Sequence, residues 1–449
     1  MKWSGQVIST LAVSANESLP PAIAIILRMA SASLERSQPD AHQRHWIPYL
    51  HFGYLPGTPP TSVFSWTERD AGNTEVPERF EEAVEVAGEL LGRVIADSLT
   101  SGSRFVVPLS GGLDSRALLL GAMDAGADVS AATFGVPGAL DFEIGRELAI
   151  KLDVEHTALD LRELLPRSTD LVDAVKAGGA WTHVFDAYFN QLLSNKLESG
   201  VTVISGFMGD PIAGSKLRQE AGSGLAALAE FVEHERFGRG LDLLPRGYNL
   251  VRELTVPAQA MLGCGFTDYE CLDFAMRQMG AIKPIVVDGH ESVVTPFLDA
   301  RWIAFMSGVR PEWRRSGRLY EAVLLRRWGR AFRHRTKTLL GLGVHARPWR
   351  RCLRRRLFGV GRRLGGVLGF DAVARQMTNY VDLDLGFRKD ALLRELARRQ
   401  LCELRERGVV DWIDPTEVLE KHISGGADLS REIELLIGLE INLKVELCT

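Results

Sequence analysis

Between residues 78 and 206 the chain alternates between short apolar runs and longer amphipathic stretches, and this alternation restricts the fold more than any other feature. RFVVPL (104–109), DVSAATF (128–134), VEHTALDL (154–161) and GVTVISG (200–206) are short, rich in β-branched or aromatic residues and bounded by Gly, Ser or Asp. They read as buried strands. Between them, SRALLLGAMDAG (115–126) closes on Gly126 and DFEIGRELAIKLD (141–153) keeps a helical spacing of apolar residues. Strands alternating with helices of this length build βαβ units and hence a parallel sheet covered on both faces. Residues 77–99 add an amphipathic helix in front, with its acids in the first turn, where the helix dipole favours them. Beyond residue 215 the pattern turns mainly helical. The predicted fold class is therefore α/β: a doubly wound parallel sheet followed by a mainly helical C-terminal part.

Residues 54–76 concentrate Pro, Gly, Thr and Ser and read as a linker, so a boundary is predicted near residue 78. The composition, 46% apolar and 24% charged, is that of an ordinary globular protein. Five scattered cysteines (Cys264, Cys271, Cys352, Cys402, Cys448), with no C-x-x-C, argue against a disulfide framework or a zinc site. Ser4, Gly5, Gln6, Ser9 and Thr10 interrupt what a secretory h-region would need, and no apolar stretch reaches the length of a membrane span. The cytoplasm is the expected compartment. Charge is unevenly placed: residues 310–363 hold 18 Arg or Lys against Glu312 and Glu321, although the whole chain carries −4. An anionic ligand or a partner protein is the expected counterpart of this stretch, with a solvated basic helix face as the alternative.

The loop LSGGLDSR (109–116) sits where the first predicted strand gives way to a helix, at the carboxyl edge of the sheet, where open α/β sheets bind their ligands. Gly111 and Gly112 allow a tight turn that would direct several N–H groups toward one point, in front of the positive end of the helix begun by Ser115. Ser110 and Ser115 add hydroxyls, so the loop reads as a phosphate cradle. Asp114, an anion inside an anion-binding loop, implies an accompanying cation such as Mg²⁺. G-x-G-x-x-G and G-K-[ST] are both absent, which removes the dinucleotide fingerprint and the P-loop. On the residues alone, a Gly-Gly turn with Asp114 as a helix cap remains the alternative.

The S-G-G-L-D-S loop resembles the pyrophosphatase loop of the N-type ATP pyrophosphatases, the PP-loop superfamily of the adenine nucleotide α-hydrolase-like fold. TFGVPGALD (133–141), SGFMGDPIAGS (205–215), TPFLDARW (295–302) and RHRTKTLLG (333–341) narrow the resemblance to the synthetase domain of the asparagine synthetase family, which includes β-lactam synthetases and lasso peptide cyclases. The resemblance covers roughly residues 78–345, with LLIGLEINLKVE (435–446) similar to the family's last helix. It implies that Asp114 and Asp210 share one Mg²⁺, that Leu109, Val136, Ser205 and Gly206 contact ATP through their backbones beside Ser110, Gly111, Gly112 and Ser115, and that Lys337 stabilises charge on the phosphates and the reacting carbonyl, with Arg333 and Arg335 nearby. The implied activity is an AMP-forming amide-bond ligase: a carboxylate is adenylated, pyrophosphate leaves, and an amine displaces AMP. The substrates are a small-molecule or peptide carboxylate and amine. Asp299 is as well explained as a helix N-cap, and His183, among aromatics where the family builds its acceptor pocket, as a structural histidine.

The sequence departs from the family in two places. Residue 2 is Lys and no cysteine precedes Cys264, so a glutamine-hydrolysing domain is not expected; residues 1–77 read as a truncated remnant of one plus linker, and 78–449 as the synthetase-like domain. In the second loop Phe207 and Pro211 replace acids found in asparagine synthetases, which favours a bulkier acceptor than ammonia. A tRNA-modifying PP-loop ATPase and a catalytically silent nucleotide-binding subunit are the rival readings. Nucleic acid is disfavoured because the basic run has few interleaved aromatics, Trp328 and Trp349.

Overall fold

The computed structural model describes residues 44–56, 75–100, 102–178, 181–217, 222–254, 265–368 and 380–447, the side chains of 362–368 excepted. Met1–Ile47 and Pro48–Thr449 form separate compact units, and all the elements below belong to the second. Most of the 1–77 segment, together with Cys264 and Cys448, lies outside the described residues.

Helix α1 (Phe80–Asp97) leads into β1 (Arg104–Pro108), α2 (Asp114–Asp124), β2 (Asp128–Gly135), α3 (Leu140–Leu152) and β3 (His156–Asp160). Helices α4 (Ser168–Gly178) and α5 (Val184–Ser194) precede β4 (Val201–Ile204), and β5 (Val293–Val294) follows much later. These five strands form one parallel sheet in the order β3-β2-β1-β4-β5. The four strands read from the sequence are all present; β5, two residues long, carries too little pattern to be seen.

Period-two alternation divides the core. Phe105 and Val107 of β1 face a cluster built from α1, α2, α3 and the later helices α6 (Ala300–Gly308) and α7 (Arg318–Phe332). Val106, between them, joins Ala132, Val203 and Leu193 of α5 on the other face. Helices on both faces leave the strands wholly buried in the middle, as a doubly wound sheet requires. Past α7 a small antiparallel hairpin pairs β6 (Arg335–Thr336) with β7 (Leu342–Gly343), and α8 (Pro348–Leu368), α9 (Leu383–Lys389), α10 (Ala391–Arg407), α11 (Pro415–Ile423) and α12 (Ser430–Glu446) complete the helical part.

The strand order explains why distant loops meet. From β1 the chain moves outward through β2 to β3, then returns to place β4 on the other side of β1. The loops after β1 and β4 therefore leave neighbouring strands at the switch point, where a parallel sheet opens a crevice. No helix among the described residues is long and apolar enough to cross a membrane.

Candidate functional site

The loop after β1 spans Leu109 to Leu113, and α2 begins at Asp114, one residue earlier than the sequence implies. The loop after β4 runs through Ser205 to Met208 and enters a short helical turn, Gly209–Ile212. Met208 adopts φ 69°, a left-handed conformation uncommon for a side-chain-bearing residue, and this sharp turn carries Gly209 and Asp210 up to α2. The Asp210 N–H donates to Asp114 Oδ2 at 3.0 Å. Gly209 admits this approach because it has no side chain: a Cβ there would lie 2.5 Å from Asp114 Cγ. The two acids, 96 residues apart, thus meet at one point of the crevice.

Electrostatics at this point are unfavourable without a cation. Asp114 is pushed up to about 7, first by burial and then by the charge of Asp210. Asp210 is also held above its ordinary value by loss of water around its carboxyl, which Ser215 and Lys216 oppose. The hydroxyl of Tyr320 on α7 faces the Asp114 carboxyl and favours its charged form, and neither that hydroxyl nor Asp114 Oδ1 has a partner beyond the other. Two carboxylates brought to one point form a hard-oxygen donor set of the kind a divalent cation completes.

Lys337 lies on the other side of the first loop. Its backbone N–H donates to Gly111 O at 2.9 Å, and its Nζ pairs with Asp141 of α3. Asp141 also accepts the Gly111 N–H at 3.0 Å, so one carboxylate ties the loop to the lysine. The hairpin holding Lys337 is fixed from beneath by Arg116, wholly buried, whose guanidinium donates to Arg335 O at 3.0 Å and Ala331 O at 3.3 Å. Of its neighbours, Arg335 pairs with Glu147 of α3 and Arg333 is exposed.

The expected open cradle of N–H groups needs correction. Ser110 N–H donates to Ser115 Oγ at 3.2 Å, Gly111 N–H to Asp141, and Gly112 N–H to Ser110 Oγ at 3.1 Å. Buried donors must be paired, and here their acceptors are the side chains of Ser110, Ser115 and Asp141. Leu109 and Ser205 likewise commit their N–H groups to the sheet, to Ala132 O at 2.8 Å and Val294 O at 2.9 Å. The Val136 carbonyl accepts from Ala139 and that of Gly206 from Gly209, leaving each carbonyl one further lone pair.

A network that the sequence did not announce adjoins Asp210. Lys216 Nζ lies 2.8 Å from Glu235 Oε1 and 3.5 Å from Asp273 Oδ1; Arg277 reaches the same two acids at 3.3 and 3.5 Å. Asp273 and Arg277 belong to a ten-residue π-helix, Asp273–Ile282, a rare conformation that is frequent at functional sites. Glu235 and Arg277 also line a cavity of 850 Å³. Phe185, Phe189, Phe237 and Tyr380 form its apolar wall, and Asp186, Arg431 and Glu434 supply charge. Burial raises Asp186 to about 6 and Glu434 to about 8. His183 lines the same cavity with its ring 4.6 Å from that of Phe237, and burial lowers it to about 3, so it is a neutral ring. Asp299 caps α6, accepting the Arg301 N–H at 2.9 Å, as its helix-cap reading has it.

A second acidic cluster, Asp384, His422 and Asp428, has metal-ligand residue types but its atoms are already committed. Leu429 N–H donates to His422 Nδ1 at 3.0 Å, Arg388 takes Asp384 Oδ1 at 2.8 Å, and Asp428 Oδ1 caps α12 through Ser430.

Asp141, Tyr320 and the Lys216–Glu235–Asp273–Arg277 network are missing from the sequence reading. Asp141 closes the TFGVPGALD motif and was available in it; Tyr320 and the network are brought in by tertiary packing from a part of the chain that reads only as helix. Comparison with protein-family models and with curated proteins returned no match for this chain.

Proposed function

We propose that this chain is an ATP- and Mg²⁺-dependent, AMP-forming amide-bond ligase with a sheet of the PP-loop type, acting in the cytoplasm. The observation that supports the reading is the meeting of Asp114 and Asp210 at the switch point, where the Asp210 N–H donates to the Asp114 carboxylate and the charge of Asp210 acts on it. Magnesium held by these carboxylates would neutralise phosphate charge and relieve the repulsion that raises Asp114.

Each remaining role falls to a group of the chain itself. The first loop and the N-terminus of α2 bind the triphosphate, its amides exchanging their internal partners for phosphate oxygens. Lys337, released from Asp141, places its ammonium against charge that grows as pyrophosphate departs. The cavity beyond Asp210 takes the acyl and amine substrates. Its aromatic wall and its size suit an acceptor larger than ammonia, in keeping with Phe207 in the second loop. Holding both substrates there makes the second step effectively intramolecular. Asp186, with an affinity for protons close to neutrality, is suited to take the proton an attacking amine must lose.

The test is exchange of labelled pyrophosphate into ATP, with products identified as AMP and pyrophosphate rather than ADP. Asp114→Ala and Asp210→Ala should each abolish exchange while the far-ultraviolet circular dichroism is retained. Exchange at the unaltered rate in either variant would overturn the reading.

A further inference from the structure

Helix α8 is built the wrong way round for a surface helix. Trp349, Leu353, Leu357 and Val360 are spaced by four, four and three residues, which gathers them within about 80° of the helix circumference. All four are exposed, at 57, 48, 57 and 52%. The opposite side is held to the protein by arginines as well as by the half-buried Phe358: Arg351 pairs with Glu321 of α7 at 2.9 Å and Arg354 donates to Leu340 O at 2.9 Å. The usual arrangement puts the apolar stripe inward; here arginines anchor the helix and the stripe looks out.

Charge flanks the stripe on both edges. Arg350 stands on one side, its guanidinium 5.2 Å from the Trp349 ring centroid, and Arg356 on the other. Arg350, Arg355 and Arg356 make no ion pair among the described residues. No Asp or Glu occurs in the sequence between Glu321 and Asp371, so nothing on the helix or its approach offsets this charge.

We propose that α8 is a membrane-surface docking helix that lies flat on an anionic lipid bilayer. An apolar stripe of aromatic and branched residues, bordered by cations on both edges, matches a plane whose acyl chains lie beneath a layer of negative headgroups. Nucleic acid would leave the stripe without a counterpart. An acidic protein groove would have to present acids along both edges of an apolar floor, which a lipid surface provides everywhere. The stripe is about 17 Å long at helical rise, enough for peripheral attachment and far from a span. A ligase so attached would work beside the membrane; the inference does not depend on the chemistry proposed above.

The experiment is co-sedimentation of the full chain with phosphatidylcholine vesicles, with and without a minority of phosphatidylglycerol. Binding is expected only to the anionic vesicles and should weaken as salt is raised. Leu353→Glu with Leu357→Glu should abolish it, and Arg350→Gln with Arg356→Gln should weaken it about twenty-five-fold, at roughly fivefold for each arginine. All four positions are at the surface, so circular dichroism and melting temperature should be unchanged in both variants. Absence of sedimentation with anionic vesicles overturns the proposal, as does binding left unaltered by either pair of substitutions. Concentration-dependent self-association lost in Leu353→Glu would assign the stripe to a second copy of the chain and likewise overturn it.

Discussion

Asp141 holds Gly111 and Lys337 at once: its carboxylate accepts the glycine N–H at 3.0 Å and pairs with the lysine ammonium. The lysine is thereby kept close to the loop without being free. Replacing Lys337 by Met is expected to lower pyrophosphate exchange by about a hundred- to a thousandfold, the usual loss when one fixed donor to developing charge is removed. Asp141→Asn should keep more activity than Lys337→Met, because the lysine remains, and ATP binding by calorimetry should change more than turnover does. Equal loss in the two variants would contradict this division of roles.

Gly209→Ala tests the approach of the two loops without altering any charge. The added methyl would meet Asp114 Cγ at 2.5 Å, whereas in Gly111→Ala the nearest atoms, Asp141 Oδ1 and Lys337 Cβ, stand at 3.1 Å. The first substitution should misplace the Asp114 carboxyl and cost about a hundredfold in exchange rate, the second clearly less. Steady-state exchange kinetics on the two variants would compare them directly.

The raised Asp114 carboxyl makes stability depend on pH. Its affinity for protons is greater folded, at about 7, than at its ordinary value of 3.8, so the folded state binds more protons between those values. Stability should therefore fall as pH rises from about 4 through 7, with the cost fully present above 7. Asp114→Asn should flatten this slope in thermal melts. Magnesium added at alkaline pH should raise the melting temperature of the unaltered protein and leave that of Asp114→Asn nearly unmoved.

Arg314 and Glu270 form an ion pair 2.9 Å long with both side chains essentially out of solvent, and the guanidinium lies 4.6 Å from the Phe266 ring centroid. Removing one partner strands the other charge. Glu270→Gln or Arg314→Met should cost about 3–5 kcal/mol in chemical denaturation, while Arg314→Met combined with Glu270→Leu should recover part of it.

The sheet was legible because its central strands are apolar and buried and its helices keep apolar periodicity, signals local to ten or fifteen residues. Asp114 and Asp210 were legible for a related reason: each follows a strand, and strand ends at one edge of a parallel sheet must share a surface. What could not be read is what arrives from the helical part. Tyr320 reaches Asp114 from α7, and Lys216, Glu235, Asp273 and Arg277 converge only once their helices are packed. The loop's internal pairing was missed for another reason: residue types indicate which groups can donate or accept, but the choice of partner among Ser110, Gly112 and Ser115 is set by the folded turn.

The return of the chain to β1 after β3 also orders events in time. The residues that complete the crevice are separated by 96 positions for Asp114 and Asp210 and by 196 for Asp141 and Lys337. A ribosome adding about 5–20 residues per second therefore delivers Lys337 tens of seconds after the first loop. Through that interval Asp141 and the Gly111 amide have no lysine to meet, so a nascent chain can form its first βαβ units well before it has anything to bind a nucleotide with.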